Sequence, residues 1–342
     1  MATVLYICGM KILVIRFSSI GDIVLTTPVL RCIKLQLPHA IIHYAVKAAY
    51  SDIVAYNPYV TKVLEHTGND DAFIAAAKAE QYDLIIDLHH NLRTLKIKKA
   101  LRVPSHSYNK LNMRKWLLTA LRLNVMPSLH IVDRYMHTVS SLGVYNDGLG
   151  LNFMVPELYK LKPSDLPTAH LAGYVTIVVG AAHATKALPL QKLVQLCSLV
   201  QHPIILLGGK AEYQAGKAIA AQEPYKIYNA CGKFSLLESA DIIKGSKLVV
   251  TPDTGMMHIA AAYQKPIISI WGSTVPALGM TPYYGHYQVK SAIIQAQNVQ
   301  CQPCSKIGYS SCPKGHFKCM ENISMPALAA TVHEFLGIKP KV

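Results

Sequence analysis

Thr251–Ala262 reads TPDTGMMHIAAA. An apolar run, SKLVV, precedes it and a second, KPIISIWGS, follows. Two short β-type runs separated by a helical stretch make a strand–turn–helix–strand unit, and such a unit packs as a right-handed parallel crossover. The turn itself carries Asp253, Thr254, Gly255 and, one helical turn on, His258. An N-cap with a glycine-relaxed turn explains each residue singly. A site for a phosphorylated ligand explains them together, because backbone N–H groups and the helix dipole at such a turn favour an anion.

Working outward, the same unit recurs. KILVIRF (11–17), AIIHYAV (40–46), TKVLEH (61–66) and YDLIIDLHH (82–90) read as strands in the first half. IVLTTPVLRCIKLQL, YSDIVAYN and DAFIAAAKAEQ read as helices between them. In the second half GYVTIVVGA (173–181), HPIILLGG (202–209), KLVVTPD (247–253) and PIISIWGS (266–273) are strands. LPLQKLVQLCSLV and AEYQAGKAIAAQ are helices. Continuous apolar strands alternating with helices predict an α/β protein of two Rossmann-like domains, each a doubly wound parallel sheet, facing a cleft. The Pro-rich polar stretch 158–173 is the best linker. The expected domains are 1–160, 161–325 and a C-terminal helix, 326–342, with room to pack back on the first domain.

The chain has 342 residues, 51% hydrophobic and 15% charged, which suits two buried cores rather than disorder. Its net charge of +15 favours an anionic partner: nucleic acid, an anionic membrane face or a phosphorylated substrate. No run reaches the roughly 18 apolar residues of a spanning helix, and the N-terminus lacks a signal-peptide pattern. A cytoplasmic protein is expected, resting on a membrane surface as a peripheral partner. Met10 is the more natural start, with residues 1–9 an extension.

In open parallel sheets ligands sit at the carboxyl ends of strands, and the polar residues collect there. SSIGD follows the first strand: Ser18, Ser19 and Gly21 allow close approach of a ligand, and Asp22 falls in the first helical turn. Asp22 reads either as a helix-start acid or as a general base. HATK places Lys186 after a strand, where a lysine neutralises phosphate. GGKAE pairs glycines with Glu212, an acceptor for ribose hydroxyls or a base edge. Between Leu88 and Val132 there are nine Lys and Arg and no Asp or Glu. Arg93, Lys96 and Lys99 recur on one helical face and suit a polyanionic acceptor or an anionic membrane. Nucleic acid is not expected, since no stacking aromatics interleave them.

Cys8, Cys32, Cys197 and Cys231 are scattered in apolar settings and read as buried thiols. Cys301, Cys304, Cys312 and Cys319 cluster as C-x2-C-x7-C-x6-C. That spacing admits a zinc site, a packed knot of reduced thiols, or disulfides. No DxD-type motif lies near the other loops, so neither a divalent metal nor a cofactor is expected at the site of chemistry.

KILVIRFSSIGDIVLTTPVL, YDLIIDLHHNLR, LLGGKAE, VVTPDTGMMHIAAA and CQPCSKIGYSSCPKGHFKCM together resemble the ADP-heptose:lipopolysaccharide heptosyltransferase family of bacterial glycosyltransferases, over nearly the whole chain from Met10. The resemblance implies the two-Rossmann GT-B fold and an inverting transfer of heptose from an ADP-heptose donor to the anionic inner core of lipopolysaccharide, at the cytoplasmic face of the inner membrane. It puts Asp22 on the general-base position and Lys186 near the diphosphate. Glu212 falls on a ribose-contacting acid, and Asp253, Thr254, Gly255 and His258 on the donor-binding turn. The competing readings are a related transferase with another nucleotide sugar or glycolipid acceptor, a non-catalytic basic protein binding RNA or anionic lipid, and a nucleotide-sugar epimerase.

Overall fold

The computed structural model describes residues 9–338. Cys8 and nearly all of the expected extension lie outside them. In chain order the elements are β1 (Lys11–Ile15), α1 (Ile20–Val24), α2 (Thr27–Gln36), β2 (Ile41–Lys47), α3 (Asp52–Ala55), β3 (Lys62–His66), α4 (Asp70–Ala79), β4 (Leu84–Asp87), α5 (Leu92–Leu101) and β5 (Ser105–Ser107). Then come α6 (Asn112–Trp116), continued by a π-helical turn (Leu117–Leu121), and α7 (Ile131–Met136). The rest comprises β6 (Val175–Val178), α8 (Leu190–Leu199), β7 (Ile204–Leu207), α9 (Tyr213–Ala220), β8 (Ile227–Asn229), α10 (Leu236–Gly245), β9 (Leu248–Pro252), α11 (Gly255–Ala262), β10 (Ile267–Trp271), β11 (Ser291–Gln295), α12 (Lys318–Glu321) and α13 (Met325–Leu336).

These form two compact units. The first holds the described residues up to Lys110 together with Leu129–Met154; the second holds Leu111–Ser128 and Val155 onward. Sequence reading placed the division near residue 160 and kept 111–128 with the first domain. The insertion carries no sharp compositional mark because, like the residues before it, it holds Lys and Arg and no acid.

Each unit has one parallel sheet, ordered β3-β2-β1-β4-β5 and β11-β10-β9-β6-β7-β8. The strand order reverses between β1 and β4 in the first and between β6 and β9 in the second. Those reversals leave a crevice at the carboxyl ends of the two central strands. The central strands carry continuous apolar runs because both faces are covered: β4, β6, β7, β9 and β10 are buried along their whole length. The edge strand β11 has exposed positions.

Two local departures from the sequence reading have clear causes. The stretch 23–37 is two helices, not one. Pro28 cannot donate to the Val24 carbonyl, and the Thr26 and Thr27 hydroxyls donate instead to the carbonyls of Ile23 (2.7 Å) and Val24 (2.8 Å). Likewise β4 stops at Asp87, because its carboxylate accepts the backbone N–H groups of His89 (3.1 Å) and His90 (2.7 Å) and turns the chain.

The last helix, expected to have the first domain as a possible berth, packs on α8. Leu328, Ala329 and Val332 join Leu193 and Leu196 in the second unit's core. Each such side chain contributes about 1.5–3 kcal/mol on burial. The first unit's core is built from Leu13, Ile15 and Phe17 with Phe73, Ile85 and Ile97.

Candidate active site

At the reversal point of the first sheet, the chain leaves β1 through Arg16 and Phe17 and turns at Ser18–Ser19 into α1. Asp22 is the third residue of that helix. Its Oδ2 accepts from the Ser19 backbone N–H (3.2 Å) and hydroxyl (2.8 Å), and its Oδ1 meets Arg16 Nη2 at 2.7 Å. Arg16 is itself fixed: Nε donates to the Ser18 carbonyl (2.8 Å) and Nη1 to the Leu88 carbonyl after β4 (2.6 Å). The guanidinium also lies over the Tyr135 ring at 5.9 Å. The two central strands therefore hold one carboxylate between them.

Burial alone would raise the Asp22 pKa. The Arg16 charge and the Ser19 hydrogen bonds outweigh it, and the group sits below the ordinary value of 3.8. Asp22 is an ionised carboxylate at neutral pH, with its side chain 21% exposed. Apart from Arg16, the titratable side chains beside it are neutral. Burial, helped by the Arg16 and Lys110 charges, pushes His89 down to about 4. Burial raises the Tyr108 and Tyr135 phenols. A carboxylate of this kind can take a proton from a hydroxyl that becomes acidic as it attacks. Arg16 limits how basic it is at rest.

The basic face of α5 is less open than its sequence suggests. Arg93 Nε pairs with Asp70 at 2.9 Å and Lys96 with Asp71 at 2.8 Å, both acids on the adjacent α4. Lys98 pairs with buried Asp87 at 2.9 Å. Lys99 is exposed on the same helix. Acid-free in sequence does not mean acid-free in space, because the neutralising residues come from the preceding helix.

At the reversal point of the second sheet, the loops after β6 and β9 meet. Lys186 Nζ lies 2.7 Å from Asp253 Oδ2, and the Thr274 hydroxyl donates to the same oxygen at 2.8 Å. Asp253 is buried and holds Lys186. One ammonium N–H so used leaves Lys186 two donors for a ligand. Next to the pair, Thr254 caps α11 through backbone geometry, its hydroxyl 3.2 Å from that of Thr251. The N–H groups of Gly255 and Met256 open the helix there. His258, on α11, is buried at 2% exposure.

Glu212 is half-buried, and its Oε2 accepts the Gly209 N–H at 2.8 Å. The carboxylate lies across Gly180, at the end of β6, where a Cβ would come within 2.5 Å of the Glu212 Cδ. Glycine at 180 is what lets this acid reach the same end of the sheet as Lys186.

A sequence model of the family described as glycosyltransferase family 9 (heptosyltransferase) matches residues 72–313. The chain belongs to glycosyltransferase family 9.

It is 27% identical over 293 residues to lipooligosaccharide heptosyltransferase 2 of Haemophilus influenzae, covering 78% of this chain and 84% of that protein. It is 25% identical over 324 residues to lipopolysaccharide heptosyltransferase 1 of Pseudomonas aeruginosa, covering 87% and 86%. Among solved structures, a family 9 glycosyltransferase of Veillonella parvula superposes with a TM-score of 0.76 at 21% identity, covering 96% of this chain and 97% of that one. The E. coli ADP-heptose heptosyltransferase II gives 0.72 at 21%, covering 96% and 98%. These structures share the GT-B fold of two parallel sheets with alternating helices.

In this glycosyltransferase the four clustered cysteines are free thiols. Cys304 donates to the Cys301 carbonyl at 3.0 Å, and Cys301 Sγ is 3.8 Å from His316 Nε2. Burial, with the other thiols nearby, raises Cys304 to about 11 and Cys319 to about 12, so both are protonated. Among the described residues, no three His, Cys, Asp or Glu side chains are arranged to hold a metal ion. The same loop braces the site: Gln302 Nε2 donates to the carbonyls of Gly272 (2.7 Å) and Thr274 (3.2 Å).

Four positions escaped sequence reading: Arg16, His89, Gly180 and Thr274. Only Arg16 left a signal, as a charge closing an otherwise apolar buried strand just before SSIGD.

Proposed function

We propose that this family 9 glycosyltransferase moves heptose from ADP-heptose to the inner core of lipopolysaccharide with inversion at the anomeric carbon. The observation that carries the reading is the ionised, partly exposed Asp22 at the reversal point of the first sheet. The names of its relatives supply the class of sugar and acceptor, and one solved neighbour holds ADP-2-deoxy-2-fluoro heptose.

The first domain takes the acceptor and the second the donor. Asp22 removes the proton of the acceptor hydroxyl as that oxygen attacks the anomeric carbon, and one displacement inverts the centre. Ser18, Ser19 and Gly21 shape the loop around it. As the ADP diphosphate leaves with growing charge, Lys186 and the N–H groups at Gly255 stabilise it, with Thr254 beside them. Asp253 orients Lys186, Glu212 accepts from the ribose, and buried His258 supports the α11 turn. Lys99, with Arg93 and Lys96 where the acceptor displaces their acid partners, meets the ulosonic acids and phosphates of the acceptor. The reaction takes place at the cytoplasmic face of the inner membrane. Among the described residues no helix is long and apolar enough to cross a membrane, which fits a peripheral attachment.

The test is a transfer assay read by mass spectrometry, with purified protein, ADP-heptose and a heptose-free inner-core acceptor. A mass gain of one heptose that vanishes in Asp22→Ala supports both reaction and base. An absent product with ADP still bound rejects the donor sugar or acceptor named here.

A further inference from the structure

The second half of the basic segment has no part in the proposed chemistry, yet it carries several large exposed apolar residues. On α6, Met113 (75% exposed) and Trp116 (55% exposed) stand at i and i+3, on one face. Leu118 is buried and anchors the helix from its other side. The apolar surface then continues through exposed Leu121, Leu123 and Val125. Single exposed leucines are ordinary; a contiguous run that includes a half-exposed Trp marks an interaction surface.

Its charge says which kind. Arg114 and Arg122 are exposed within the run, and no acid occurs from Leu88 to Val132. Apolar side chains with a Trp, flanked by exposed guanidinium groups, complement the headgroup boundary of an anionic bilayer. There Trp and Leu enter the acyl edge and cations meet lipid phosphates. We propose that residues 112–125 dock this enzyme on an anionic phospholipid surface, with Trp116 entering the headgroup–acyl boundary. The docking rests on the proposed glycolipid acceptor for its purpose only; lipid binding is measured apart from transfer.

The chain has two tryptophans, and Trp271 is fully buried, so lipid-induced changes in emission report on Trp116. Full-length protein is titrated with vesicles of phosphatidylethanolamine and phosphatidylglycerol, and separately of phosphatidylcholine alone. The expected result is a blue shift and quenching by brominated acyl chains, with phosphatidylglycerol required. Replacing Met113, Trp116 and Leu121 by Ser should weaken co-sedimentation with these vesicles about tenfold or more. Arg114→Glu with Arg122→Glu should do the same. Transfer to a delipidated, soluble acceptor should be unchanged in the Ser variant, which also controls for folding. Loss of transfer in wild type with vesicle binding intact would reject the proposed function and keep the docking. Vesicle binding without a change in Trp emission, or equal binding to phosphatidylcholine, overturns the docking. So does a concentration-dependent dimer that buries Trp116 in the absence of vesicles.

Discussion

Asp22 and Asp253 both lie just past the carboxyl end of a strand flanking the reversal of a parallel sheet, Asp22 in the helix after β1 and Asp253 in the turn after β9. Both face a cation at 2.7 Å. They differ in what else holds them. Asp22 shares its second oxygen with Ser19 and keeps its side chain 21% exposed. Asp253 gives one oxygen to both Lys186 and Thr274 and keeps 10%. Arg16 is itself tied to two carbonyls, so it serves the carboxylate, whereas Lys186 retains two donors, so the carboxylate serves the lysine. The two acids are therefore held in opposite ways: at Asp22 the cation is tied down and serves the acid, and at Asp253 the acid is tied down and serves the cation.

The largest effect that would break this contrast is kinetic. Asp22→Asn should lower turnover by about 100-fold or more, while ADP affinity by calorimetry stays at the wild-type value. If the rate barely moves, Asp22 is a helix-start residue and the asymmetry is lost.

Next comes the pair in the second unit. Lys186→Ala leaves a buried carboxylate uncompensated, and should cost about 3 kcal/mol in urea unfolding as well as weaken ADP binding. Adding Asp253→Asn should recover most of the stability and none of the ADP affinity. Recovery of both would mean that the lysine serves the acid after all.

A smaller effect sharpens the placing of Glu212. Gly180→Ala drives a methyl into its carboxyl group and should cost about 1 kcal/mol. Because the Glu212 end can swing away, the more telling readout is weakened binding of ADP relative to inorganic diphosphate. Equal weakening of both would detach Glu212 from the ribose.

The smallest effect is pH-dependent. The folded Asp22 lies below its unfolded value, so the Arg16 ion pair contributes stability in full above about 3.8 and loses it as the pH falls through the folded value. Unfolding free energy followed from neutral to acid pH should therefore fall less steeply in Asp22→Asn than in wild type. Parallel curves would show that the unfolded chain keeps the same ion pair.

Much of the fold was legible. KLVVTPD and PIISIWGS announce buried parallel strands because only a strand covered on both faces can be apolar throughout, and the polar loops after the strands located both loci. Less legible were the short elements. Helix 23–37 broke between Val24 and Thr27, just ahead of Pro28, β4 was cut short by the side chain of its own Asp87, and 111–128 joined the other unit with no acid or other sharp change of composition to mark it.

What the sequence by itself determined about this glycosyltransferase is the alternation of strands and helices, the residues at the strand ends and the family they resemble. These depend on local periodicity and on spacing along the chain. Only the tertiary structure decided which charges meet: Arg16 with Asp22, Lys186 with Asp253, Arg93 and Lys96 with the acids of α4, and Glu212 over Gly180. The reason is physical. A carboxylate's basicity and a lysine's freedom are set by groups within a few ångströms, and apart from Arg16 and Ser19 beside Asp22 those groups come from other strands, loops or helices.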